Sequence, residues 1–166
     1  MVLLLIFGVV NLTLNKDPEQ ILGESSRDKY FVKKVIDGDT ILVSQEENDY
    51  KVRLIGVDAP ETVHPRKKVE CFGKEAASAV QRFVENSTVR LEGDPSQYDK
   101  DRYGRLLRYV FLENGDNLNY ILIKEGFAYE YTYQSKYLYQ DEFKEAQEHA
   151  MRNNSGLWGA LCDQVE

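Results

Sequence analysis

Five charged residues sit in or beside short apolar runs: Asp39 in V-I-D-G-D-T (35–40), Arg53, Asp58 and Glu61 in R-L-I-G-V-D-A-P-E (53–61), and Arg105 in D-R-Y-G-R (101–105). Carboxylates at neighbouring strand ends can share one hard cation such as Ca²⁺, which is bound by carboxylate and carbonyl oxygens. An arginine within an apolar run either snorkels to solvent or needs an anion beside it, and one at a glycine-bearing bend can reach an oxyanion with two parallel N–H groups. Each residue also has a plainer reading. Turn aspartates bond their own backbone, Arg53 can pair with a nearby carboxylate, and the charged stretch around Arg105 can be a solvated turn. Only the five together suggest a site that binds a phosphate group and a cation.

Strand ends must position them. YFVKKVI (30–36), TILVSQ (40–45) and YKVRLIGV (50–57) are β-rich runs separated by turn signals, and form a three-strand meander. In this pattern Arg53 shares a pleat face with Ile55 and Val57. Apolar residues at Val69, Phe72, Ala76, Val80 and Phe83 give a helical stripe over 69–84. TVRLEG (88–93) and RLLRYVFL (105–112) are two more strands, joined by a charged, turn-rich loop. A short helix at 117–124 precedes Gly126, and a longer one spans 139–152, with Phe143, Ala146 and Ala150 on one face. Five short strands with about three helices imply an α+β, mainly β fold, a closed five-stranded OB-type barrel.

With 166 residues, 42% of them hydrophobic, the chain suffices for one domain with its own core. The expected division is an apolar signal peptide or anchor at 1–14, a linker at 15–29, the folded domain at 30–160 and a tail at 161–166. MVLLLIFGVV is shorter than the roughly 20 residues that span a bilayer. The expectation is therefore an exported protein, secreted or at the cell surface, with membrane contact only if that segment is retained. The net charge of −7 excludes retention of nucleic acid by overall basicity, so any such role needs a local basic site. The two cysteines, Cys71 and Cys162, fit neither a C-x-x-C redox motif nor a zinc cage. They are either one disulfide or two inert thiols.

The three blocks V-I-D-G-D-T, R-L-I-G-V-D-A-P-E and D-R-Y-G-R stand in the order of the signature blocks of the staphylococcal nuclease (thermonuclease) family. F-G-K-E-A (72–76) and G-L-W-G (156–159) fit as well. The chain resembles that family over about residues 30–159. The resemblance implies a Ca²⁺-dependent endonuclease, acting on single-stranded DNA and RNA and on double-stranded DNA and leaving 3′-phosphate ends by in-line water attack. It implies Asp39 and Asp58 as carboxylate ligands of Ca²⁺, with the backbone carbonyl of Ala59 as a third ligand, where the best-known member of the family has Thr. It implies Arg53 and Arg105 as clamps on the scissile phosphate, Glu61 as acceptor of the water proton, and Tyr131 with Tyr133 as the nucleotide-contacting pair. A monomer without a nucleotide cofactor is expected.

The alternative is a non-catalytic nucleic-acid or protein-binding module of the same fold. Completeness of the set Asp39, Arg53, Asp58, Glu61 and Arg105 argues for the enzyme. Other chemistries lack their residues. The stretch D-K-D-R-Y-G has Val110 where an EF-hand needs glutamate, His64 and His149 lack metal or triad partners, and no P-loop or G-x-G-x-x-G occurs.

Overall fold

The computed structural model describes residues 29–62 and 70–159. The expected apolar segment at 1–14, all but the last residue of the expected linker, the tail at 161–166, Cys162 and His64 lie outside the described residues. Among the described residues no helix is long and apolar enough to cross a membrane.

Strands β1 (Lys29–Asp37), β2 (Thr40–Gln45) and β3 (Asn48–Leu54) form the expected meander. Strand β4 (Val57–Asp58) and helix α1 (Gly73–Val84) follow, then β5 (Thr88–Glu92), β6 (Leu106–Phe111) and α2 (Leu118–Lys124). Strand β7 (Tyr129–Glu130), helix α3 (Gln140–Arg152) and a 3₁₀ turn (Gly156–Trp158) complete the described chain. The barrel closes in the order β1-β2-β3-β6-β5. Every pairing is antiparallel except β3 with β6, which run parallel with Arg53 opposite Leu107. The fold is the expected closed five-stranded barrel with three helices.

Alternation dictates the core. Ile41, Val43, Val52, Leu54, Val89 and Val110 point inward, and Val80 and Val84 of α1 and Phe143 of α3 cap them; all are fully buried or within 1% of it. Each such side chain contributes about 1.5–3 kcal/mol on burial. Of the expected helical stripe, Val69 lies outside the described residues, and Phe72, in the left-handed region at φ 66°, precedes α1 and is not part of it.

The single strand expected over 50–57 is broken. After Leu54 the chain turns at Ile55-Gly56, and Val57 and Asp58 pair instead with Glu130 and Tyr129 in a separate two-stranded sheet. Arg53 therefore does not share a continuous pleat face with Ile55 and Val57. The break is held by Asn119 of α2, a buried amide that donates to Ile55 O (2.8 Å) and Arg108 O (3.2 Å) and accepts from Val110 N (3.0 Å). Gly56 has φ 74°, and a Cβ there would meet Tyr137 at 2.7 Å and Phe143 at 2.8 Å. Gly56→Ala is expected to cost about 2–3 kcal/mol, as left-handed strain and overpacking combine; urea unfolding checks this.

Candidate active site

The turn between β1 and β2 sets the first carboxylate. Asp37 Oδ1 accepts the backbone N–H of Asp39 (3.1 Å), and Asp39 O accepts the N–H of Leu54 (2.9 Å), docking the turn onto the end of β3. The Asp39 side chain is buried, and its Oδ2 accepts the N–H of Ala59 (3.2 Å). Strand β3 supplies Arg53, which pairs with Asp39 through one terminal nitrogen and with Asp58 Oδ1 through the other, the latter at 2.9 Å. Arg105, at the head of β6, donates from Nε to Asp101 Oδ2 (2.6 Å) and from a terminal nitrogen to Thr40 Oγ1 (3.2 Å). Thr40 in turn donates to Asp39 Oδ1 at 2.8 Å.

The result is one continuous chain of contacts, Asp101–Arg105–Thr40–Asp39–Arg53–Asp58, across three strands. Burial lowers the basicity of Arg53 and the hydrogen bond to Asp58 offsets part of that, while Arg105 lowers it further. Burial pushes the Asp37 carboxyl up, against hydrogen bonding from Thr40 and the positive charges of Arg53 and Arg105. Two guanidiniums held this close to each other need compensating anions. Asp101 supplies one; for Arg53 the anions are Asp39 and Asp58, the two aspartates that the family resemblance implies as cation ligands.

Those aspartates suit a hard cation by donor chemistry. Asp39 and Asp58 share a single guanidinium, so the pair keeps net negative charge, and the Asp58 side chain is 49% exposed, open to an ion arriving from solvent. Among the described residues no three acidic, histidine or cysteine side chains cluster as a metal cage.

A cavity of about 460 Å³ opens beside this chain, and its walls include Arg53, Asp58 and Arg105 with Tyr103, Tyr131 and Tyr133. Tyr131 and Tyr133 lie 6.4 Å apart and are half to two-thirds exposed. Glu61 does not line the cavity; it lies in the loop after Asp58. The sequence reading passed over Thr40, Asp101 and Tyr98. Tyr98 is 75% exposed and lines the same cavity, and its neighbour Gln97 fastens that loop to Ser135 at 3.1 Å. No local signal marks Thr40 or Tyr98: Thr40 meets Arg105 from far along the chain, and the loop of Tyr98 is fastened to Ser135 through Gln97. Cys71 is disulfide-bonded, and its expected partner lies outside the described residues.

The sequence model of the family described as Staphylococcal nuclease homologue matches residues 51–160. The chain is 42% identical over 137 residues to the thermonuclease of Staphylococcus hyicus, covering 82% of this chain and 79% of that protein. It is 40% identical over 160 residues to the thermonuclease of Staphylococcus intermedius, covering 95% and 90%. Endonuclease YncB of Bacillus subtilis is 34% identical over 126 residues, with 75% of this chain and 59% of that protein covered. A closed barrel carrying this charged chain of contacts, a matching family model and relatives of such identity along most of their length give one conclusion: the chain belongs to the staphylococcal nuclease family.

Proposed function

We propose that this protein is a Ca²⁺-dependent nuclease that hydrolyses DNA and RNA to 3′-phosphate ends. The observation that carries the reading is the convergence of Arg53 and Arg105 on one cavity beside Asp58, each guanidinium already oriented by a carboxylate. A phosphodiester is a poor electrophile until positive charge meets the charge that builds on its oxygens. Arg53 and Arg105 bind the non-bridging oxygens, each offering paired N–H donors. Glu61 takes a proton from the attacking water, the new P–O bond forms in line with the 5′ oxygen, and that oxygen leaves and is protonated. Calcium, held by Asp39, Asp58 and the carbonyl of Ala59, would add Lewis-acid stabilisation of the same charge.

The exposed rings of Tyr131 and Tyr133 suit stacking of a base, and contacts made to phosphates rather than base edges suit a substrate range that includes single-stranded DNA, RNA and double-stranded DNA. The apolar start of the chain and the oxidised state of Cys71 support action outside the cell, in a disulfide-permissive compartment. The test is cleavage of single-stranded DNA by the full chain with CaCl₂ and then with excess chelator, reading the chemistry of the new ends. Calcium-dependent cutting to 3′-phosphates is expected. DNA that is bound but intact in both conditions would favour a binding module.

Glu61→Gln is expected to lower kcat about 100-fold or more, since a positioned general base contributes that much. Calcium affinity, measured by calorimetry, should stay within about two-fold, because the substitution leaves both aspartates in place.

A further inference from the structure

The loop that carries Glu61 is fastened to the approach of α1 by a reciprocal pair of hydrogen bonds. The N–H of Glu70 donates to the carbonyl oxygen of Glu61 at 2.9 Å, and the N–H of Glu61 donates to a carboxylate oxygen of Glu70 at 3.1 Å. One residue thus engages both backbone polar groups of Glu61. Glu70 is itself firmly placed. Its carbonyl accepts the N–H of Gly73 (3.2 Å), Cys71 beside it is disulfide-bonded, and the ring of Phe72 stacks on Phe127 at 5.8 Å. The approach is close enough that a Cβ on Gly73 would lie 2.6 Å from Thr62 Cγ2 and 3.0 Å from Pro60 O. Phe72 holds φ 66°, a conformation that costs a non-glycine residue and persists only where its surroundings enforce it.

We propose that Glu70 is a positioning residue for the proton-accepting carboxylate of Glu61. The inference rests on the role given to Glu61 above. Fixing the N–H and C=O of Glu61 fixes its Cα–Cβ direction, and a general base must lie within hydrogen-bond reach of the water it deprotonates. The magnitudes separate this role from plain stabilisation. Glu70 is exposed, so its bond to Glu61 adds little to folding. A displacement of about 1 Å in the reacting geometry, in contrast, costs on the order of 100-fold in rate.

The test compares Glu70→Ala, Glu70→Gln, Glu61→Ala and the double variant Glu61→Ala/Glu70→Ala in the full chain, by kcat and KM on single-stranded DNA with calcium and by thermal midpoint. Glu70→Ala is expected to lower kcat about 10- to 100-fold with KM within about two-fold and the midpoint nearly unchanged. Glu70→Gln keeps an oxygen acceptor for the Glu61 N–H and should recover most of the loss. On the Glu61→Ala background, Glu70→Ala should do nothing further. Wild-type cleavage with an unimpaired Glu70→Ala, or the same proportional loss with and without Glu61, overturns the positioning role alone. A loss that tracks a fallen midpoint overturns it too. A wild-type chain that does not cleave overturns the reading of Glu61 and this inference together.

Discussion

Arg53→Ala is expected to lower kcat about 1,000-fold, the upper range for removing one preorganised donor from a developing oxyanion. Arg53 pairs with both Asp39 and Asp58, so its loss also removes the positive charge that the two carboxylates share. The variant should therefore be less stable than wild type without calcium, and gain more in thermal midpoint when calcium is added. Arg53→Lys should not rescue turnover, since one ammonium cannot present the planar fork that reaches two oxygens. Arg105→Ala should lose turnover comparably, and the double variant should lose far less than the product, as residues acting on one phosphate are not additive. Steady-state kinetics decide; near-normal turnover in either single variant would remove the phosphate-clamp assignment.

The largest stability effect is expected away from the chemistry, at Asp94. This carboxylate, 7% exposed, accepts from Tyr109 Oη (2.5 Å), Leu138 N (2.7 Å), Ser96 N (2.8 Å) and Ser96 Oγ (2.7 Å), tying the end of β5 to β6 and to the approach of α3. Asp94→Ala orphans a fully buried tyrosine hydroxyl and a backbone N–H, and should cost about 3–5 kcal/mol. Burial pushes the Asp94 carboxyl up, but the hydrogen bonds from Leu138, Tyr109 and Ser96 outweigh it and hold the group below its ordinary value of 3.8. A depressed folded-state value contributes stability that is complete above 3.8 and is lost as pH falls through the lower folded value. Denaturant unfolding from neutral pH down to about pH 2 should show a steep acid limb in the wild type and a shallower one in Asp94→Asn.

The barrel was legible because each strand advertises itself locally, through alternation and through turn residues such as the D-G-D of 37–39. The meeting of Asp39, Arg53, Asp58 and Arg105 was foreseen from family order and not from periodicity. The register that produces it, β3 parallel to β6 with Arg53 opposite Leu107, is a long-range pairing that no local pattern encodes. The break at Ile55-Gly56 escaped the reading for the same reason. Apolar alternation runs on through Val57, and only the distant Asn119 amide and the partner strand at Tyr129–Glu130 reveal that the chain turns. Thr40, Asp94 and Glu70 were missed because their value lies in what they touch. A threonine after a turn, an aspartate before a proline and a glutamate before a helix are commonplace in sequence.

The parallel pairing of β3 with β6 also bears on how freely such a chain can vary. The spacing between the two guanidiniums is set by ladder register within the barrel wall, and Arg105 is tethered to Asp101 within its own bend. Lengthening the exposed turn at Asn114 and Gly115 after β6 leaves that register untouched, whereas a single-residue deletion inside β3 would turn Arg53 to the opposite side of the wall. Such a scaffold lets its exterior drift widely while holding its reactive pair to a fixed gauge.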